Sequence, residues 1–505
     1  MEVIYRHCDI RHAGALIMRR ILRRTLPWIT LVLAGCAAGP DHVKPSIDAP
    51  PAWRIDYAQA ADVANTRWWL QFGDPVLTSL IESARKENRD LVVAAARVDA
   101  FLGTPVSTRS QFYPQASYSL DAARNRMSAV GASPLPGGAD PYYSLYNGAL
   151  GASWQIDLFG RVRRQTEAAQ AQVYATEQGR RGVVLSVVAS MATSYIGLRM
   201  LDRQLEIARK TAGNYAATQR IFELRHTGGV VSKQELAQVQ SQYQQALAAI
   251  PQLEQQIAAQ ENLIAVLQGR NPYPIARGMA IDQLAMPAIP GDLPASLLER
   301  RPDILQAEQN LIAANANLGA AKALYYPQFN LTGMLGSVSA AFGNFLTGPA
   351  TAWTLAAGVA GPLFTAGSIA GQVQSAQAGK DEALAVYQQT IFNAFRETND
   401  ALVGTAKKRE EAAAQAQRVA SLREYARLSR LRFNSGYAGY TDTLYAENEL
   451  FAAELAAVRT SADQYTQVVN VFKAVGGGWV DLADPGPTAG QAGSLLERER
   501  VQPMH

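Results

Sequence analysis

The chain has 505 residues, 48% hydrophobic and 18% charged, with a formal net charge of +4. That length allows about three ordinary domains and that balance is globular. The weak charge, much of it in the first 24 residues, suggests neither a nucleic-acid surface nor an acidic partner, and the only two cysteines, Cys8 and Cys36, leave no thiol further along for a disulfide, a metal or a nucleophile.

From Met18 the chain reads MRRILRRTLPWITLVLAGC. Four arginines, a short apolar stretch and Leu33-Ala34-Gly35 make residues 1–35 a signal peptide. Glu2 and Asp9 do not suit such a leader, so translation is expected to start at Met18. Cys36 after Leu-Ala-Gly resembles a lipobox, in which the thiol is acylated and cleavage leaves Cys36 first. The alternative is an ordinary signal with an incidental cysteine. Ala37, where an aspartate would retain the protein, permits sorting to the outer membrane by resemblance to bacterial lipoproteins. Acyl chains add roughly 0.8 kcal/mol per buried methylene, so several anchor stably. Residues 36–73 are then a lipidated linker. Beyond the leader there is no unbroken apolar run of 18 residues, so any crossing of a membrane falls to β-strands.

The first unit, 74–269, opens with a helix near 75–103, which Gly103 and Pro105 are expected to stop or kink. Strands follow near 113–123 and 143–157, with a Gly/Pro/Ser-rich link from Arg124 to Pro141. In the first strand Ala116, Tyr118, Leu120 and Ala122 oppose Gln115, Ser117, Ser119 and Asp121. Such alternation gives one apolar and one wet face, and about ten residues suffice to cross a bilayer at a tilt. Two hairpins on a soluble core would show the same pattern. A long helix, 162–226, has the stripe Val184, Val188, Met191, Tyr195, Leu198, Leu201 and Leu205, coiled-coil-like in step. A glycine turn leads to a helix over 232–268. Ser232 and Glu235 read as a capping box at its start, and Pro251 is expected to bend it.

Residues 270–301 separate this unit from a second, 302–479, and 480–505 form a Pro/Gly-rich, then charged tail expected to be disordered. The second unit repeats the first: a helix over 302–324, strands near 327–336 and 351–362 linked by Gly336 to Pro349, and helices over 367–433 and 438–475. Phe112-Tyr-Pro-Gln115 recurs as Tyr325-Tyr-Pro-Gln328, 213 residues on, and Leu158-Phe159 as Leu363-Phe364, 205 on. The glycines Gly228 and Gly436 lie 208 apart. Several pairs in one order at nearly one spacing mark a duplication. Four strands cannot close a pore, and open edges are not viable in lipid. Three chains supply twelve strands, and a cyclic trimer is the simplest closure.

The motifs Trp154-Gln-Ile-Asp-Leu-Phe-Gly-Arg161, Leu297-Leu-Glu-Arg-Arg-Pro-Asp-Ile304, Pro362-Leu-Phe-Thr-Ala-Gly367, Ala394-Phe-Arg-Glu397 and Phe472-Lys-Ala-Val-Gly-Gly-Gly-Trp479 resemble those of the TolC/OprM-like outer membrane efflux proteins, in their lipid-anchored NodT-type subgroup. The resemblance covers about Cys36 to Trp479. It implies an α+β membrane fold: a trimeric twelve-stranded β-barrel, four strands per chain, continuous with a long α-helical periplasmic barrel built from two internal repeats. An equatorial collar would include the segment near 270–300.

The implied function is the passive exit duct of a tripartite efflux system for drugs or other toxic solutes. The implied partners are two further copies of the chain, a periplasmic adaptor, an inner-membrane pump of RND type and outer-membrane lipid, with no nucleic acid. No cofactor is implied beyond covalent lipid on Cys36. The adaptor would meet the helical tips at Arg225, Gly228, Gly229, Ser232, Arg432 and Gly436, although Ser232 has its capping role in any case. Where family members often place a gate aspartate, this chain has Tyr445. Asp442 and Glu449 flank it on one helix face, as an acidic lumen ring or as an ordinary solvated face. No metal spacing, phosphate loop or nucleophile motif points to an enzyme. A channel for secreted proteins and a lipid-anchored periplasmic scaffold without a pore are the alternatives.

Overall fold

The computed structural model of the chain describes residues 38–45, 67–128, 140–289 and 301–476. Cys36, the expected leader and the expected C-terminal tail lie outside them. After a 3-10 turn at Trp68–Phe72, the elements run α1 (Pro75–Glu87), α2 (Arg89–Ser110), β1 (Gln115–Arg126), β2 (Tyr142–Ile156), α3 (Arg161–Thr227), α4 (Lys233–Leu267), α5 (Pro302–Lys322), β3 (Gln328–Ser339), β4 (Thr351–Ala360), α6 (Ser368–Asn434) and α7 (Tyr440–Ala474). The duplication appears in the lengths. Helices α3 and α6 each have 67 residues, α4 and α7 each 35, and β1 and β3 each 12. At a rise of about 1.5 Å per residue, the longest helices measure roughly 100 Å.

Several details differ from the sequence expectation. The first helix is two helices, joined at Asn88. Its extended backbone ends α1, and its Oδ1 accepts the N–H groups of Asp90 and Leu91 to start α2. Pro105 does not stop α2, which runs to Ser110. Gly103, Thr104 and Val106 around it are exposed, so water can take up the carbonyl that proline leaves free. Helix α4 runs unbroken through an exposed Pro251, the position of the expected bend. Two helical stretches, Pro75–Ser110 and Arg161–Thr227, have 18-residue windows apolar enough to cross a membrane by composition. In α3 that window is 67% buried in the protein, so it serves a core.

The chain divides into two compact units, each drawing on both repeats. The first combines the N-terminal segment to Pro45 with Ala100–Val173 and Gln309–Ala385. Its centre is an antiparallel sheet of order β1-β2-β3-β4, two hairpins joined side by side through β2 and β3, with β1 and β4 at the edges. Ladder pairs extend past the expected strand ends, to Arg126 opposite Tyr142 and to Ser339 opposite Tyr146. Gly336 sits within β3 because a Cβ there would lie 2.4 Å from the Gly148 carbonyl oxygen. The strap 38–45 is tied down in the same unit. Ala38 N donates to Phe159 O at 3.0 Å, and Asn315 donates to Pro40 O at 3.0 Å. Arg164 pairs with Asp41 at 2.7 Å.

The second unit, Ser46–Asp99, Tyr174–Glu308 and Val386–His505, holds the main core. Trp68 stacks on Phe472 with ring centroids 5.1 Å apart. Around them pack Trp69, Phe72, Leu77, Ile81, Val188, Met191 and Ile196. The expected α3 stripe is thus the core face of that helix. Asp74, 1% exposed, ties the core together. It caps α1 through Val76 N at 2.7 Å, and its Oδ2 accepts from the Tyr195 hydroxyl at 2.8 Å and from Met279 N at 2.9 Å. Gly278 completes the knot. Its N–H donates to the Tyr195 oxygen at 2.9 Å, and any Cβ would come within 2.1 Å of Asp74. The segment 270–289 is therefore laid over the core, and Tyr465 holds it again through Leu284 O at 2.7 Å.

Candidate functional site

The sheet has the two faces that a pore wall requires. Register aligns Tyr118, Leu150, Leu335 and Trp353 in one row across all four strands. The next rows on that face bring Ala116, Ala152, Gly333 and Leu355 together, then Trp154, Leu331 and Ala357. These apolar side chains are not covered: Tyr118 and Leu355 are each 79% exposed and Trp353 74%. Apolar surface of this extent on a soluble protein would be an aggregation hazard, and in a membrane it is the lipid-facing band. The opposite face has Ser117, Ser119, Asp121, Asn147, Ser153, Asn330, Thr332 and Thr354, interleaved with glycines and alanines, Met334 and Val338. Small polar groups leave room for water and solute.

Aromatic side chains mark the band's rim next to the helices. Phe159 stacks on Tyr326 at 4.6 Å, and Trp154 Nε1 donates to Phe112 O at 2.8 Å. Tyr113, Tyr325 and Phe364 are exposed beside them. Amphipathic rings at this level suit a membrane–water interface.

Both expected tips are tight turns. After α3 the backbone passes through Gly229 at φ 73°, and Val230 N donates to Arg225 O at 2.8 Å. After α6 it passes through Gly436 at φ 77°, and Tyr437 N donates to Arg432 O at 2.9 Å. The equivalent glycines are thus Gly229 and Gly436, not Gly228 and Gly436, because only the first pair takes the left-handed conformation that closes each helix. The capping box forms: Ser232 Oγ accepts from Glu235 N at 3.1 Å, and Glu235 accepts from Ser232 N at 2.8 Å.

The structure brings the two tips together through residues the sequence did not single out. Phe222, Val239, Tyr440 and Leu444 form a buried cluster with Phe433 against it. Phe222 and Tyr440 are 4.5 Å apart, and Phe433 and Tyr440 5.1 Å. Arg225 lies 5.6 Å over the Phe433 ring, which joins one tip to the other. Leu224, Val230 and Tyr437 project into solvent. The period of the helices marks this cluster only as two ordinary core faces, since nothing local shows that the faces meet.

The residues of the expected acidic face lie along α7. Asp442 and Tyr445 are exposed on α7. Glu449 is ion-paired with Arg418 at 3.1 Å, so its charge is met within the protomer. The most enclosed carboxylate of this stretch is Glu447, half-buried and 2.5 Å from Arg430. Its second oxygen has no hydrogen-bond partner among the described residues. Burial pushes its carboxyl above the usual range, and Arg430 partly offsets this. Burial, with Glu447 nearby, also pushes the Tyr440 hydroxyl up to about 12. Among the described residues no group of His, Cys, Asp and Glu could hold a metal.

The Outer membrane efflux protein family matches residues 80–270 and 293–477, well over half of the chain. The chain belongs to this family. The Probable efflux pump outer membrane protein TtgC of Pseudomonas putida is 32% identical over 465 residues, covering 90% of this chain and 96% of that one. The Cation efflux system protein CusC of Escherichia coli is 29% identical over 462 residues, covering 90% and 99%. The outer-membrane channel OprN superposes with a TM-score of 0.80 at 27% identity, over 88% of this chain and 100% of that one. The open-state MtrE channel of Neisseria gonorrhoeae gives 0.80 at 26% identity, over 88% and 99%. The fold class read from the sequence holds: this is a protomer of a homotrimeric outer-membrane channel with a helical periplasmic barrel. As an efflux protein of the outer membrane, it works with a periplasmic adaptor and an inner-membrane pump.

Proposed function

We propose that the trimer is a passive duct for small molecules, lipid-anchored through Cys36, docked by its adaptor at the Gly229 and Gly436 turns, and supplied by an RND-type pump. The observation that carries the duct is the sheet: through its middle rows one face is apolar and largely exposed, the other small, polar and nearly uncharged. Such a wall does not select cargo by charge. In keeping with this, similar proteins have names as different as toluene efflux and cation efflux. The duct performs no chemistry of its own in this reading.

The anchor reading draws on the strap. Ala38 is bonded to Phe159, at the aromatic rim. Two residues of chain reach at most about 7 Å, so acyl chains on Cys36 would enter the leaflet on the helical side. Exposed Leu224, Val230 and Tyr437 give the tips an apolar surface for an adaptor.

Planar-bilayer recording on the purified protein, with oligomeric mass measured on the same sample, tests the duct. Trimers giving discrete openings are expected, and monodisperse monomers without conductance would end the reading. Labelling with radioactive palmitate tests the anchor: Cys36→Ala should lose the label and leave the mature protein in the soluble periplasmic fraction or as uncleaved precursor.

A further inference from the structure

The four strands contain three charged side chains, Asp121, Arg124 and Arg126, all in β1. Alternation puts Asp121 on the polar face. Arg124 and Arg126 fall on the lipid-facing side, in line with Tyr118 and Leu120. Arg126 stands opposite Tyr142, and Arg124 opposite Ser144, to which it donates at 2.9 Å. Both guanidinium groups lie over the Tyr142 ring, 5.8 and 5.6 Å from its centre. Two like charges therefore share one aromatic platform on a face that is otherwise uncharged.

Neither arginine has a carboxylate partner among the described residues. The sequence explains this. In the link after β1 the only acid is Asp140, which accepts from Tyr142 N at 2.9 Å. In the closed barrel β1 must meet the neighbouring protomer's β4, and from Ala323 to Gly379 the chain has no charged residue at all. No counter-ion can come from that hairpin. The charge-free pairing leaves a site that calls for an anion.

Its place along β1 decides which anion. The strand begins after α2 and ends at Arg126, where Met127 N closes the hairpin onto Pro141 O at 2.8 Å. With the helices periplasmic, this end lies at the outer leaflet. An apolar shelf adjoins it on the same face. Phe342 packs on Tyr146 at 5.5 Å, the Phe345 ring fills the space over Gly148, and Leu346 is 90% exposed. We propose that Arg124, Arg126 and Tyr142 bind the phosphate groups of an anionic glycolipid of the outer leaflet, with its acyl chains on the Phe342–Leu346 shelf. Guanidinium groups suit this role because their paired N–H donors match phosphate oxygens.

The inference rests on outer-membrane placement and not on the duct reading. Its test is native mass spectrometry of the full-length trimer titrated with diphosphorylated lipid A and with the same lipid dephosphorylated. The wild type should hold the phosphorylated lipid roughly tenfold more tightly. Arg124→Gln with Arg126→Gln should lose that preference, while the Lys pair keeps most of it. Equal binding of the two lipids by the wild type would overturn the proposal, with no variant needed. So would displacement of the lipid by millimolar inorganic phosphate, which would make this a free-phosphate site. Retained conductance in a Gln variant that has lost lipid separates this site from the duct.

Discussion

Asp74 shows how much one buried carboxylate can organise. It receives two backbone N–H groups of α1, the Tyr195 hydroxyl and Met279 N, so it joins a helix start, a core tyrosine and the 270–289 segment. Hydrogen bonds to a charged group contribute about 1.5–3 kcal/mol each, and leaving a buried donor unmet costs about as much. Asp74→Ala should destabilise by about 3 kcal/mol or more. Tyr195→Phe, which removes one partner of Asp74 and leaves the Gly278 N–H unmet, should cost about 2 kcal/mol. Thermal unfolding of the two variants in detergent gives the order, and a silent Asp74→Ala would contradict the knot. Glu447 poses a question of pH. Its folded-state pKa lies above its unfolded value, because burial penalises the ionised form. Its contribution is therefore complete below the ordinary carboxylate value, about pH 4.3, and is lost as pH rises through the raised one. Glu447→Gln keeps the shape and does not titrate. Hydrogen exchange over the first turns of α7, measured from acid to neutral pH, should show wild type losing protection relative to the variant. A pH-independent difference would remove the assignment.

At the level of elements, the strands make the sharpest claim, because neighbouring residues should behave oppositely. Leu355 and Thr354 are adjacent in mid-β4 but lie on different faces. Arginine on a lipid face near the bilayer centre costs about 2–4 kcal/mol, and far less in a wet lumen. Leu355→Arg should impair assembly into vesicles. Thr354→Arg should assemble normally and lower cation relative to anion conductance. If both assemble alike, the faces have been assigned wrongly. This alternation was legible in the sequence because a period of two needs no partner to be seen. So were the long helices and the Ser232 cap, which are set by local rules. What escaped was decided at a distance. Asn88 splits a helix because its side chain competes with the backbone, and Pro105 does not break one because its surroundings are wet. Glu447 and Arg430 meet only after two helix tips are brought side by side, so no local pattern marks this pair between Asp442 and Glu449.

At the level of the molecule, the protomer is unequal in what holds it. The helical unit has a core of its own, with Trp68, Trp69, Phe72 and Tyr195 almost fully buried. The sheet has none, since residues of β1 and β4 are exposed nearly throughout and both edges are free. A four-stranded sheet with two exposed faces and two open edges depends on its neighbours and on lipid for stability. Its folding is then linked to association, so its apparent stability must depend on protomer concentration. In detergent, strand amides should exchange slowly in the trimer and quickly in any monomer released by dilution, while the Trp68–Phe472 core stays protected in both. Trimer and strand signals should therefore be lost together as the protein is diluted, ahead of the helical signal. A monomer whose strands stayed protected would mean that the sheet is stabilised within one chain, and the need for three copies to build the wall would no longer follow from its physics.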